Sequence, residues 1–175
     1  MRISFAATLR RARSTSETAM PDELELLGVL LRHGVSFVII GGHAVNFHGY
    51  GRATEDTNIV WHRSPEAEQK LLLALTDMDA RYIAKEIDPA TGIERTYSVT
   101  LPFIQASRLM MLWTKYGFLD LFDYVPGLPH EDVRQLFSTS VEVGGVRYVS
   151  LSWLRQMKQA SDRTKDRLDL ENLPE

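Results

Sequence analysis

Two polar residues stand two apart in the run Glu55-Asp56-Thr57-Asn58-Ile59-Val60-Trp61, and it is here that the sequence first offers chemistry. Along a strand, residues two apart point to the same face. Asp56 and Asn58 therefore share a face, and Glu55 and Thr57 point away from it. Two oxygen donors one pleat apart suit a divalent cation that prefers oxygen, Mg²⁺ above all, with Mn²⁺ as the alternative. Upstream, the apolar run Phe37 to Ile40 stops at Gly41-Gly42. A glycine pair at a helix start lets the backbone approach a phosphate closely, with N–H groups and the positive dipole end aimed at it. A metal beside a phosphate cradle is the layout for phosphoryl or nucleotidyl transfer. Neither half of the pattern is specific alone; together they are more so.

A third carboxylate is expected at Asp120, within Tyr116-Gly117-Phe118-Leu119-Asp120-Leu121-Phe122. The apolar neighbours mark a buried strand, where an aspartate is costly unless it binds a metal or a partner. Asp123 is the alternative, but its odd offset puts it on the opposite face. Arg52, in the loop Gly49 to Thr54, has the planar fork that suits phosphate, or it pairs with Glu55 or Asp56. Thr54 reads as a hydroxyl that caps backbone. His43 either touches a phosphate or simply occupies the helix start. Lys158 either reaches the phosphates or is a solvated helix lysine. Arg163, Lys165 and Asp166 make a local ion-pair lattice or touch substrate. His48 reads as a packed or solvent-facing histidine. Leu109, Met110 and Met111 read as strand packing, and Trp61, Trp113 and Trp153 as core or interface aromatics.

These residues must be held by the elements around them. Pro21-Asp22-Glu23 opens a helix with acids in its first turn and an apolar stripe of Leu24, Leu27 and Leu31, widened by Leu26 and Leu30. Val35 to Ile40 predicts a strand buried on both faces, followed by a short helix at about Ala44 to His48. Ser64-Pro65-Glu66 is a helix start whose core face is Leu71, Ala74, Leu75 and Met78. Strands are expected from Tyr82 to Ile87 and, at an edge, from Arg95 to Thr100. Ser107 to Tyr116 and Phe118 to Val125 form a hairpin about Gly117. A short helix from His130 to Phe137, a hairpin around Gly144-Gly145, a helix carrying Leu151, Leu154 and Met157, and a last helix from Lys165 to Leu173 complete the chain. This order points to a mixed sheet with helices packed on it, an α+β arrangement.

At 175 residues, 44% hydrophobic and 25% charged, the chain is long enough for one domain, expected from residue 21 onward. Residues 1–20 carry Arg2, Arg10, Arg11 and Arg13 with no acid before Glu17. They read as a basic tail, with an organellar transit peptide the other reading of that composition. The net charge of −3 excludes a surface that is basic all over but leaves room for a local basic groove. The chain has no cysteine, which excludes disulfides, thiolate metal sites and cysteine nucleophiles. No apolar run reaches the length of a membrane span, and a cytoplasmic location is expected.

The segment 37–61 resembles the signature of the nucleotidyltransferase superfamily related to DNA polymerase β: an apolar strand, a glycine pair, a short helix and loop, then an acidic pair between apolar residues. Gly41-Gly42-His43-Ala44, followed by Arg52-x-Thr54-x-Asp56, is similar to the minimal bacterial members, many of them AbiEii-type toxins of toxin–antitoxin pairs. Lys158, then Arg163-x-Lys165-Asp166-x-x-Asp169, resembles their C-terminal motif. The resemblance implies a mixed sheet with flanking helices and a short C-terminal helical segment. It implies transfer of a nucleoside monophosphate from an NTP to an acceptor hydroxyl, with Mg²⁺ or Mn²⁺ as cofactor and two ions in the site. The acceptor would be an RNA 3′ end, notably of tRNA, a protein side chain or a small molecule, and an antitoxin would be a partner. By the same resemblance Asp56, Asn58 and Asp120 are the catalytic and metal-binding set, with Asp120 as general base. Gly41, Gly42, His43, Arg52, Thr54 and Lys158 would hold the nucleotide.

One position departs from that pattern. Asn58 stands where a second acid is usual. Removing a unit charge at about 4 Å forfeits roughly 4 kcal/mol of attraction per unit of cation charge at an effective dielectric near 20. Three readings follow: a slow enzyme with one well-held metal, a catalytically degenerate module that binds nucleotide or a partner, or an introduced substitution that traps a complex.

Overall fold

The computed structural model describes residues 23–174. The basic segment 1–20 lies outside the described residues, as do Pro21 and Asp22 at the expected helix start. The chain runs α1 (Glu23–Arg32), β1 (Phe37–Ile40), α2 (Gly41–Phe47), β2 (Asp56–Trp61), α3 (Pro65–Asp77), β3 (Arg81–Ile87) and β4 (Glu94–Ser98). It continues through α4 (Leu101–Ala106), β5 (Leu109–Thr114), β6 (Gly117–Phe122), α5 (Val133–Ser138), β7 (Val141–Val143), β8 (Val146–Tyr148), α6 (Leu151–Ser161) and α7 (Thr164–Asn172).

The strands form one mixed sheet in the order β4-β3-β5-β6-β2-β1-β8-β7. β2 is its pivot. It pairs antiparallel with β1, placing Ile40 opposite Asn58, and parallel with β6, placing Asp120 opposite Asn58. β5 and β6 form the expected antiparallel hairpin, with Met111 opposite Asp120. β4 is an edge strand, as its weak alternation predicts.

Alternation along the strands divides the core into two clusters, one on each face. Phe37, Ile39, Ile59, Trp61, Met110, Leu112, Leu119 and Leu121 face α1, α3 and α4. Val38, Ile40 and Val60 face the other way, against α2, α5 and α6. Asp56, Asn58 and Asp120 share the parity of this second face, continuing it beyond the point where its apolar cluster ends.

Local signals set most boundaries. Ser64 accepts a hydrogen bond from the Ala67 N–H at 3.1 Å, capping α3 as predicted. Leu71, Ala74, Leu75 and Met78 are all fully buried. α1 is rotated from its expected stripe. Leu26, Leu27, Val29 and Leu30 are buried, while Leu31 is exposed and Leu24 is 82% exposed. The leucines are too many for periodicity to choose among them, and the row that faces the sheet wins. α4 is absent from the sequence reading. Its signal was present: Thr100 accepts from the Phe103 N–H, and Pro102 sits in the first turn. α2 starts at Gly41 rather than Ala44, so the glycine pair is the helix's own first turn.

Candidate active site

The C-terminal end of β1, the start of β2 and the middle of β6 meet at one cleft of about 540 Å³. Gly41, Gly42, Arg52, Thr54, Asp56, Asn58, Asp120 and Lys158 all line it. His43 does not. Its Nδ1 lies 2.9 Å from Glu23 Oε2 at the start of α1, so the ring faces away from the cleft. His48 is structural, with Nε2 2.7 Å from the carbonyl oxygen of Val149.

The glycine pair is needed by packing. Gly41 has φ +65°, and a Cβ there would sit 3.1 Å from Asn58 Cβ. A Cβ on Gly42 would come within 2.8 Å of Thr54 Cβ and 3.1 Å of Arg52 Nη1. Both glycines thus let the backbone at the helix start lie against the strand and loop that carry the polar residues. Thr54 Oγ1 donates to the Asp56 carbonyl at 3.3 Å, holding the loop onto the strand.

Asp56 and Asn58 lie on one face, one pleat apart, as their spacing predicts. Asn58 Nδ2 donates to Asp56 Oδ2 at 3.2 Å and to the Asp56 carbonyl at 3.4 Å. Asp120 is 9% exposed, flanked by fully buried Leu119 and Leu121. The in-register pairing puts its side chain beside Asn58 at the ~5 Å spacing of neighbouring strands. The donors are all oxygen on the carboxylate side, which fits a hard cation such as Mg²⁺. Such an ion is commonly held by one or two carboxylates plus substrate phosphates. Among the described residues no three carboxylate or imidazole groups converge. The Asn58 amide nitrogen is turned toward Asp56, so what Asn58 can offer a cation is its neutral Oδ1, beside the carboxylates of Asp56 and Asp120.

The cationic side of the cleft is built by a lattice that only the fold assembles. Asp166 and Asp169, one turn apart on α7, are fully buried. Arg52 donates to Asp169 through Nε at 2.6 Å and Nη2 at 2.8 Å, a two-pronged pair. The expected alternative, Asp56, is not its hydrogen-bond partner. Lys158, itself buried, places Nζ 2.7 Å from Asp166 Oδ1 and 2.8 Å from Asp169 Oδ2. Arg163 donates to Asp166 at 2.7 Å. Its side chain is 73% exposed at the cleft mouth, and it also feels the charge of Asp56. Lys165 lines the same mouth. Arg52 and Lys158, the cations singled out in the sequence, are therefore anchored wall residues. Arg163 and Lys165 are the accessible ones.

Burial by itself would raise the Asp166 carboxyl, but hydrogen bonds from Arg163 and Lys158 outweigh it and hold the group well below the usual carboxylate range. Asp169 follows the same pattern, with Arg52 and Lys158 overcoming its burial. A carboxylate depressed in the folded state stabilises fully above its unfolded value, and that stabilisation is lost as pH falls through the folded one. The Tm gap between the wild type and Asp166→Asn should be wide at neutral pH and close progressively below about pH 4. Thermal unfolding across a pH series measures it; a gap that stays constant down to acid pH would contradict the lattice.

One reading is corrected. Met110 packs in the core, but its neighbours do not: Leu109 is 40% exposed and Met111 58% exposed, and both line the cleft. On alternating parity only one side of β5 can face the helices, and the described elements leave the other open.

No family model and no curated protein matches the sequence. Solved structures do match. A crystal structure of the lincosamide antibiotic adenylyltransferase LnuA, with lincomycin bound, superposes with a TM-score of 0.58 at 16% identity. The match covers 90% of this chain and 97% of that one. JHP933 from Helicobacter pylori matches at a TM-score of 0.45 and 16% identity, over 89% of this chain and 66% of that one. At these identities the likeness is one of fold. The mixed sheet and flanking helices are those of a nucleotidyltransferase structure, as the pattern in 37–61 implies.

Proposed function

We propose that the cleft transfers a nucleoside monophosphate from an NTP to an acceptor hydroxyl. The observation that carries this is the register of β2 and β6. It sets Asp120 opposite Asn58 and one pleat from Asp56, in a cleft with a cationic wall. In the reaction the acceptor oxygen bonds to the α-phosphorus, and the bond from that phosphorus to its bridging oxygen breaks. Pyrophosphate leaves with the electron pair, and the acceptor's proton passes to the Asp120 carboxylate. Arg163 and Lys165 meet the triphosphate at the mouth, while Gly41 and Gly42 allow close approach of the backbone. Mg²⁺, held by Asp56 and Asp120, would neutralise charge building on the phosphates when bound. Arg52 and Lys158, paired with Asp166 and Asp169, hold that wall in place, and Arg163 and Lys165 carry its accessible charge.

The test is incubation with each labelled NTP, Mg²⁺ or Mn²⁺, and acceptors of each class: total RNA, protein and hydroxylated small molecules. Label must enter an acceptor, and Asp56→Ala must abolish it. Label in no acceptor would sink the enzymatic reading. The resemblance to toxin-type enzymes extends the proposal to growth arrest on induced expression, relieved by an antitoxin; normal growth would remove that extension.

A second reading, a nucleotide-binding module without catalysis, is favoured by the Asn58–Asp56 hydrogen bond. It occupies with a neutral amide the place where a second charge would hold metal. Asn58→Asp separates the two. The added carboxylate should tighten Mg²⁺ by tenfold or more, since even ~1.4 kcal/mol of the Coulomb gain suffices. Calorimetry and transfer assays read the result. Activity present in the wild type and raised in the variant supports the enzyme. Activity found only in the variant supports the module.

A further inference from the structure

The cleft has two walls of opposite character. The C-terminal segment contributes Lys158, Arg163 and Lys165 to its lining; the sheet contributes Leu109 and Met111 of β5 with Phe122 of β6. Met111 pairs with Asp120 and Leu109 with Phe122, so this apolar stripe borders the carboxylate proposed as base. The inward residues of β5, Met110 and Leu112, are 1% and 2% exposed and complete the core without their outward neighbours. Leu109 and Met111 are the apolar residues of β5 that the core leaves exposed. Methionine's flexible, polarisable side chain suits an apolar ligand of irregular shape.

We propose that this stripe is the acceptor subsite, and that the acceptor is a small hydroxyl-bearing molecule with an apolar face. The proposal rests on the transferase reading above and names its substrate class. The triphosphate takes the cationic wall, so the acceptor must approach Asp120 along the apolar one. A polynucleotide would need cations for its backbone and aromatic platforms for its bases. On this side the lining residues Leu109, Met111 and Phe122 include no cation and a single aromatic ring.

Isotope-labelled methionine methyls test this directly, because Met157, next to Lys158 on α6, and Met111, paired with Asp120 on β5, both line the cleft, and buried Met78 and Met110 report the fold. Mg²⁺ with each of the four NTPs is added first, then phenyl β-D-glucopyranoside, glucose or a tRNA pool. The expected result is that an NTP shifts the Met157 signal and the phenyl glucoside then shifts that of Met111, assigned with Met111→Leu. Glucose should act at least about tenfold more weakly, and tRNA should leave Met111 in place. Leu109→Glu, with the Met78 and Met110 signals unmoved, should remove the response to the phenyl glucoside. A Met111 signal that responds to tRNA, or ignores the phenyl glucoside at about 10 mM while Met157 responds to NTP, overturns the subsite. So does a response that survives Leu109→Glu. Silence of Met157 toward all four NTPs is a different failure: it brings down the transferase reading itself.

Discussion

Asp120→Asn is expected to slow transfer by about 10²–10⁴-fold when Mg²⁺ is saturating, and to weaken Mg²⁺ as well, because the same carboxylate would be one of its ligands. The substitution keeps the size and shape of the side chain and removes its basicity. β6 is held between β5 and β2, with Leu119 and Leu121 fully buried, so the altered side chain stays where the carboxylate was. At saturating Mg²⁺ the loss should therefore fall on kcat rather than on KM. Steady-state kinetics with a saturating acceptor separates the two. A variant that retains more than about a tenth of the rate would remove Asp120 from the role of base. If the loss appears chiefly as weakened Mg²⁺ binding, the carboxylate is a ligand first.

The second large effect is on stability. Asp169→Ala should cost about 3–5 kcal/mol, because it leaves the Arg52 guanidinium and the buried Lys158 ammonium without a shared counter-charge. Both distances to Arg52 and the one to Lys158 are 2.8 Å or less, and Asp169 is fully buried. For a chain of this size the drop corresponds to about 10 °C in Tm. A loss under about 1 kcal/mol, as exposed ion pairs give, would show that the lattice is solvated rather than packed. A double-mutant cycle with Arg52→Met gives the coupling directly. The two losses should fall well short of adding, since each removes part of the same pair. The consequence reaches function, because Asp169 and Asp166 fix the cationic wall. A protein that folds with Asp169→Ala at low temperature should bind NTP more weakly.

Much of the site could be read before any fold was known. The shared face of Asp56 and Asn58 follows from the two-residue repeat of a strand, a property of the backbone alone. The need for glycine at 41 and 42 was equally legible, though its reason shifted. Asn58 and Thr54 crowd those positions, so close packing of the strand and loop demands glycine whatever is bound there. Asp120 stood out because a carboxylate among Phe118, Leu119, Leu121 and Phe122 is costly without a partner. The helix start at Ser64 and the hairpin about Gly117 were set by capping and turn chemistry, which act over a few residues.

What the sequence by itself determined was local: strand parity, caps, turns and the chemical type of each side chain. Pairing over long separations belongs to the tertiary structure. Arg52 meets Asp169 across 117 positions, and no periodicity links a loop to a C-terminal helix. His43 turns to Glu23, because the start of α1 lies beside α2 only once both pack on the sheet. The fate of Leu109 and Met111 depended on coverage. Alternation says that two faces of β5 differ, but whether a helix covers each is decided by where the rest of the chain goes. In this fold one face is packed and the other borders Asp120, and that asymmetry divides a cationic wall from an apolar one.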